Sequence, residues 1–195
     1  FGLRQTLWVF ISSIISIILL LNPSFINQIK EYKYFWLISG LGLITLTFFF
    51  GTYPGGIGPK LWLGFKGVFF QPSEILKIIL IVYLASYFSE KQSGKFDIPN
   101  TILPTLILAA SAVLLLIAQK DLGTALIFIT IYFLMVYFVF GKKRILLIGA
   151  VLILLSTVIG YFFIDLIRIR FQGWILPWSG SQSSSYQIIQ SIIAI

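Results

Sequence analysis

Six apolar runs, separated by short polar turns, set the plan of this chain: roughly 5–21, 34–51, 72–88, 101–118, 122–140 and 145–164. A helix that crosses a bilayer needs about 20 mostly apolar residues, with a range of about 17 to 25. The pattern therefore predicts six transmembrane helices and an all-α, polytopic membrane fold, a single helical domain over 1–195. The first run is short, and the third reaches spanning length only with its polar head, Gln71-Pro72-Ser73-Glu74. Glycine and proline inside the runs are tolerated in membranes, and Pro104 is expected to kink the fourth helix. Two segments break the pattern. Residues 51–70 hold six glycines and two prolines among aromatic residues, which reads as an interfacial loop anchored by Trp62. Residues 165–195 are too polar to span and read as the start of a large loop, with a short interfacial helix over 186–195.

Composition agrees. The chain is 58% hydrophobic and 10% charged, with a mean hydropathy of +1.01. Soluble domains carry about 25% charged residues, so this chain cannot cover a water-facing surface. It has no cysteine and no histidine, which removes disulfides, thiolate chemistry and histidine-based acid–base catalysis. Proton chemistry must come from six acids, Glu31, Glu74, Glu90, Asp97, Asp121 and Asp165, or from lysines and tyrosines. The net charge of +8 suits anionic lipid headgroups. Its basic residues are scattered between apolar runs, which does not point to nucleic acid.

Alternating spans sort the connections onto two faces. Side one holds the N-terminus with Arg4, the 51–71 loop, the 119–121 turn and the residues after 165; side two holds 22–33, 89–100 and 141–144. Side two carries seven lysines and arginines against six on side one, a slight vote for side two as cytoplasmic. Glu74, Asp121, Arg168 and Arg170 fall on side one, and Lys77 lies just beneath it. Chemistry is therefore sought on that face.

Each of these residues has two readings. In Phe70-Gln71-Pro72-Ser73-Glu74-Ile75-Leu76-Lys77, proline suits a first helical position, and Glu74 suits the positive end of the helix dipole. Lys77 stands three residues on, so the two can pair as an ordinary helix start. Yet Lys77 lies among isoleucines and leucines, and ionisable residues inside a span usually face a wet interior. The alternative is a polar pocket opening on side one. Asp121, in Gln119-Lys120-Asp121-Leu122-Gly123-Thr124, is a natural helix N-cap or a functional acid pinned at the membrane boundary. Arg168 and Arg170 either snorkel to the interface or read phosphate.

Three stretches, FQPSEILKI, QKDLGTAL and YQIIQSIIAI, occur in this order and at this spacing. They resemble the motifs of the SEDS family, the RodA/FtsW/SpoVE group of peptidoglycan polymerases, with the last stretch closer to RodA. The resemblance implies a protein of about ten spans in the bacterial cytoplasmic membrane, of which this chain corresponds to spans two to seven. It implies polymerisation of lipid II, an undecaprenyl-diphosphate disaccharide, at the outer face, beside a class B penicillin-binding protein and membrane lipids. Carried over by motif, the catalytic candidates are Asp121, Glu74 and Lys77. The substrate-binding candidates are Gln71, Ser73, Lys120, Thr124, Arg168, Arg170, Tyr186, Gln190 and Ser191. A divalent metal ion beside Asp121 is left open. One departure stands inside the second motif, where the family has proline and this chain has Lys120. The family's proposed catalytic aspartate falls in the part of the outer loop that these residues do not cover, so the fragment alone is expected to be inactive.

Two functions are then expected to compete. A glycosyltransferase needs carboxylates for the acceptor sugar and cations for the leaving diphosphate. A lipid-precursor flippase needs polar residues through mid-membrane and at both faces. Clustering on side one favours the first.

Overall fold

The structure, a computed structural model, describes residues 2–22, 27–28, 30–53, 59–65, 68–92, 98–175 and 189–193. Its helices are α1 (Gly2–Leu21), α2 (Lys33–Phe50), α3 (Pro72–Gln92), α4 (Ile98–Ala118), α5 (Leu122–Phe140), α6 (Lys143–Phe163) and α7 (Asp165–Ile175). Five of them, α2 to α6, are long and apolar enough to cross a membrane. The first run is also helical, but its described apolar stretch, Thr6–Ile18, is shorter than a span. The chain divides into two compact units, Phe1–Gly141 and Lys142–Ile195.

The first unit is built on α2, α3, α4 and α5, and α3 packs against the other three. Each helix buries one stripe at helical spacing: Leu37, Gly40, Ile44 and Thr47 from α2; Leu76, Leu80, Tyr83, Leu84 and Phe88 from α3; Thr105, Ala109, Ala112 and Leu116 from α4; and Thr124, Ala125, Phe128, Tyr132 and Val136 from α5. Several of these are small. Lipid tails are as apolar as leucine, so membrane helices associate by close packing and interhelical hydrogen bonds. Gly40 shows the first mechanism: a Cβ there would stand 2.5 Å from Leu76 Cδ1. The second operates at Tyr132, whose hydroxyl lies 3.3 Å from Thr105 Oγ1 across α4 and α5. Near side two, Lys33 is buried and its ammonium pairs with Glu90, tying the start of α2 to the end of α3. Pro104 stands within α4, and the helix continues past it.

The 51–70 connection is more ordered than a loop. Leu63–Phe65 (β1) pairs antiparallel with Val68–Phe70 (β2), and Thr52 bridges Trp62. Gly51 makes the return possible, because a Cβ there would meet Lys60 O at 2.5 Å. The hairpin delivers the chain at Gln71, directly onto α3.

In the second unit α6 and α7 are separated by Ile164 alone, whose backbone is extended. The segment read as a loop from 165 therefore opens with a helix. Asp165 suits its positive end. Ile167 packs so closely on Gly160 that a Cβ there would stand 2.4 Å from Ile167 Cδ1. The Phe171 and Tyr161 rings meet at 5.5 Å. Residues 189–193 are helical.

Candidate functional site

The side-one end of the first unit is organised by the turn between α4 and α5. Helix α4 ends in a Schellman motif, the 6→1 and 5→2 closure of a helix C-terminus. Asp121 N–H donates to Leu116 O at 2.9 Å and Lys120 N–H to Ile117 O at 2.9 Å. Such closure needs a left-handed residue, and Lys120 takes that conformation with φ of 63°. Asp121 is then also the N-cap of α5: its Oδ1 accepts from Thr124 N–H at 3.2 Å. One residue thus closes one helix and opens the next, so no slack separates Asp121 from either.

Two glutamines fix this turn against its neighbours. Gln119 is buried, and its Nε2 donates to Ile44 O of α2 at 2.7 Å. Gln71 Nε2 donates to Asp121 Oδ2 at 3.2 Å. The first and second sequence motifs, 50 residues apart, therefore meet at one end of the bundle, with Asp121 between them. Both of its oxygens are held by neutral N–H donors. Among the described residues Asp121 makes no ion pair, so its charge is oriented without being neutralised.

Glu74 is different. It lies in the first turn of α3 and accepts from Lys77 Nζ at 2.8 Å. The pair forms as expected. The Glu74 side chain is 59% exposed and that of Lys77 19%, so the pair sits at the rim. The reason is the helix face. Residues 74 and 77 stand off the stripe through Leu76, Leu80 and Leu84 that α3 turns into the bundle. A cavity of about 230 Å³ between α2 and α3 is lined by Lys33, Trp36, Ile75, Ile78, Ile79, Val82 and Tyr83, and almost all of its surface is apolar.

The remaining candidates separate. Ser73 is buried, and its hydroxyl finds no partner among the described residues. Thr124 is buried and acts on Asp121 through its backbone N–H. Lys120 is exposed next to Asp121. Arg168 and Arg170 belong to the second unit. There Arg168 lies 3.7 Å from Asp165, stands over the Tyr161 ring at 5.9 Å and donates to Phe162 O. Arg170 is exposed. Gln190 and Ser191 are exposed on the helical residues 189–193. Tyr186 lies outside the described residues. No three acids converge on a metal-binding cluster among the described residues. What motif reading missed is the part played by Gln119. The available signal was a polar amide at the end of an apolar helix, since a buried amide must find an acceptor.

A polytopic helical bundle with an oriented, unneutralised carboxylate at one membrane face defines a class: an integral membrane protein with a candidate site for polar headgroup chemistry. The family model of the FtsW/RodA/SpoVE cell cycle proteins matches residues 1–195, and the chain belongs to that family. Similar proteins include peptidoglycan glycosyltransferase RodA of Mycobacterium leprae, 29% identical over 98% of this chain and 43% of the relative. A probable peptidoglycan glycosyltransferase FtsW of Geobacter sulfurreducens is 30% identical over 85% of this chain and 44% of the relative. Stage V sporulation protein E of Bacillus subtilis is 33% identical over 71% of this chain and 38% of the relative. The chain thus spans about two fifths of the length of these relatives. No solved structure matches it.

Proposed function

We propose that the protein to which these residues belong is a peptidoglycan glycosyltransferase that extends glycan strands from lipid II. The single observation that carries this reading is the Gln71–Asp121 contact. It joins the two motifs at one face and leaves a positioned carboxylate with its charge uncompensated. In the reaction, a hydroxyl of the acceptor sugar gives its proton to a carboxylate base supplied by the rest of the full-length protein and attacks the anomeric carbon of the donor, and the lipid diphosphate departs with the bonding pair. Asp121 accepts a hydrogen bond from a sugar hydroxyl at that step, which aligns the nucleophile. Glu74 and Lys77, already paired, shape the rim. Lys120 is the exposed cation beside Asp121 that meets the diphosphate. Side one is then the outer face of the bacterial cytoplasmic membrane, and a class B penicillin-binding protein is the partner that crosslinks the product.

The test uses the full-length protein. Asn caps helices about as well as Asp, so Asp121→Asn keeps the cap while it removes the charge and the second acceptor oxygen that Gln71 meets. Polymerisation of lipid II, followed by gel, should fall at least tenfold, about 1.4 kcal/mol of barrier, with expression unchanged and only a small loss of Tm. Wild-type rates in the Asn variant would reduce Asp121 to a cap. A wild-type protein that moves lipid II between leaflets without joining sugars would favour a flippase.

A further inference from the structure

We infer that Gln71 is a positioning residue for Asp121 rather than a ligand of the substrate, an inference that rests on the reading of Asp121 given above. Motif carry-over alone puts Gln71 in the substrate-binding set. Its amide, however, is already engaged: Nε2 donates to Asp121 Oδ2 at 3.2 Å, and the residue is half-buried where β2 hands over to α3.

Consider what the carboxylate would do without it. Thr124 N–H holds Oδ1, and one donor leaves the group free to rotate about its Cβ–Cγ bond. A second donor on the other oxygen fixes the carboxylate plane. A lysine at position 71 could also supply a donor, but its charge would neutralise the acid, as Lys77 does for Glu74. A primary amide supplies direction without charge. The backbone carrying this amide is itself set: Glu74 N–H donates to Gln71 O at 3.1 Å, and Gln119 anchors the opposite turn to Ile44 O. The unit formed is an amide on one element and an acid on another, each held by its own helix terminus.

The role predicts a kinetic signature that a structural residue would not give. Gln71→Met keeps the volume and removes the donor. In the full-length protein it should lower kcat for lipid II polymerisation about tenfold while KM stays within about twofold, because alignment of the acid is lost and substrate contacts are not. A raised KM with unchanged kcat would return Gln71 to the substrate-binding set and overturn the inference. The contact has its own test, independent of activity. Residues in contact show non-additive stabilities, so the Tm losses of Gln71→Met and Asp121→Asn should sum to more than the loss in the double variant. Additive losses would show that the two side chains do not meet. If the Met variant does not fold, Gln71→Glu serves in the same cycle, since it keeps the shape and replaces the donor by a like charge. Absence of polymerisation by the wild type would fail the proposed function while leaving the thermal cycle to decide the contact.

Discussion

Lys120 offers the sharpest quantitative test of this structure, because the family pattern and the geometry demand opposite things of it. The resemblance places proline at this position. The backbone here has φ of 63°, and proline is locked near −65°. Proline would also delete the Lys120 N–H bond to Ile117 O. An incompatible proline costs about 3 kcal/mol, the lost hydrogen bond included. Lys120→Pro should therefore destabilise by about 3 kcal/mol, and because the turn must rebuild, it should also separate Asp121 from Gln71. Glycine acts in the other direction. It relieves the left-handed strain of about 1–2 kcal/mol, less the extra chain entropy of glycine, about 0.5–1 kcal/mol. Lys120→Gly should thus be neutral to about 1 kcal/mol stabilising. In a domain of 150–250 residues, 1 kcal/mol moves Tm by about 2–4 °C, so the proline variant should melt about 6–12 °C lower and the glycine variant no lower than wild type. Thermal denaturation of the purified full-length protein in detergent measures the order. A proline variant that melts within about 2 °C of wild type would refute the left-handed turn, and with it the account of how Asp121 is held.

Two further outcomes follow from the same geometry. Glu74→Ala removes a partner from a rim pair and should cost only about 0.2–1 kcal/mol, whereas Glu90→Ala strands the buried Lys33 ammonium and should cost about 1–3 kcal/mol; paired denaturation curves check the order. Cysteine at position 60, in this otherwise cysteine-free stretch, should react with an impermeant maleimide on intact cells, and cysteine at position 142 should not; the reverse labelling would invert the proposed faces.

Much of the bundle could be read from the chain itself. Runs of apolar residues located the helices because a bilayer demands uninterrupted hydrogen-bonded helix. The positions of Pro72 and Asp121 at helix starts followed from local rules of capping and proline geometry. Local pattern failed where a residue's neighbour is distant in sequence. Lys33 and Glu90 are 57 residues apart, and neither carries a local sign of the other. Gln71 and Asp121 could be placed on one face by counting spans, but the bond between them depends on how α3 packs on α5. The rim position of Glu74 was likewise illegible, since the middle of α3, Ile78–Leu84, is apolar all round and only packing chooses its inner face. The helix α7 was missed because its composition is polar, and its formation depends on Ile167 and Phe171 finding α6.

The double duty of Asp121 also constrains how this region can change over evolutionary time. Helix α4 closes through its N–H and helix α5 opens through its carboxylate, so only Gln119, Lys120 and Asp121 join the two helices, and each of the three is held by a hydrogen bond. An added residue could not be looped out without breaking either the closure or the cap. Absorbed into α5, it would turn the helix by about 100° and swing Phe128, Tyr132 and Val136 out of the bundle. In this hairpin the number of residues is a requirement of its own, apart from their identity: the turn can neither gain nor lose a position without breaking the closure or the cap.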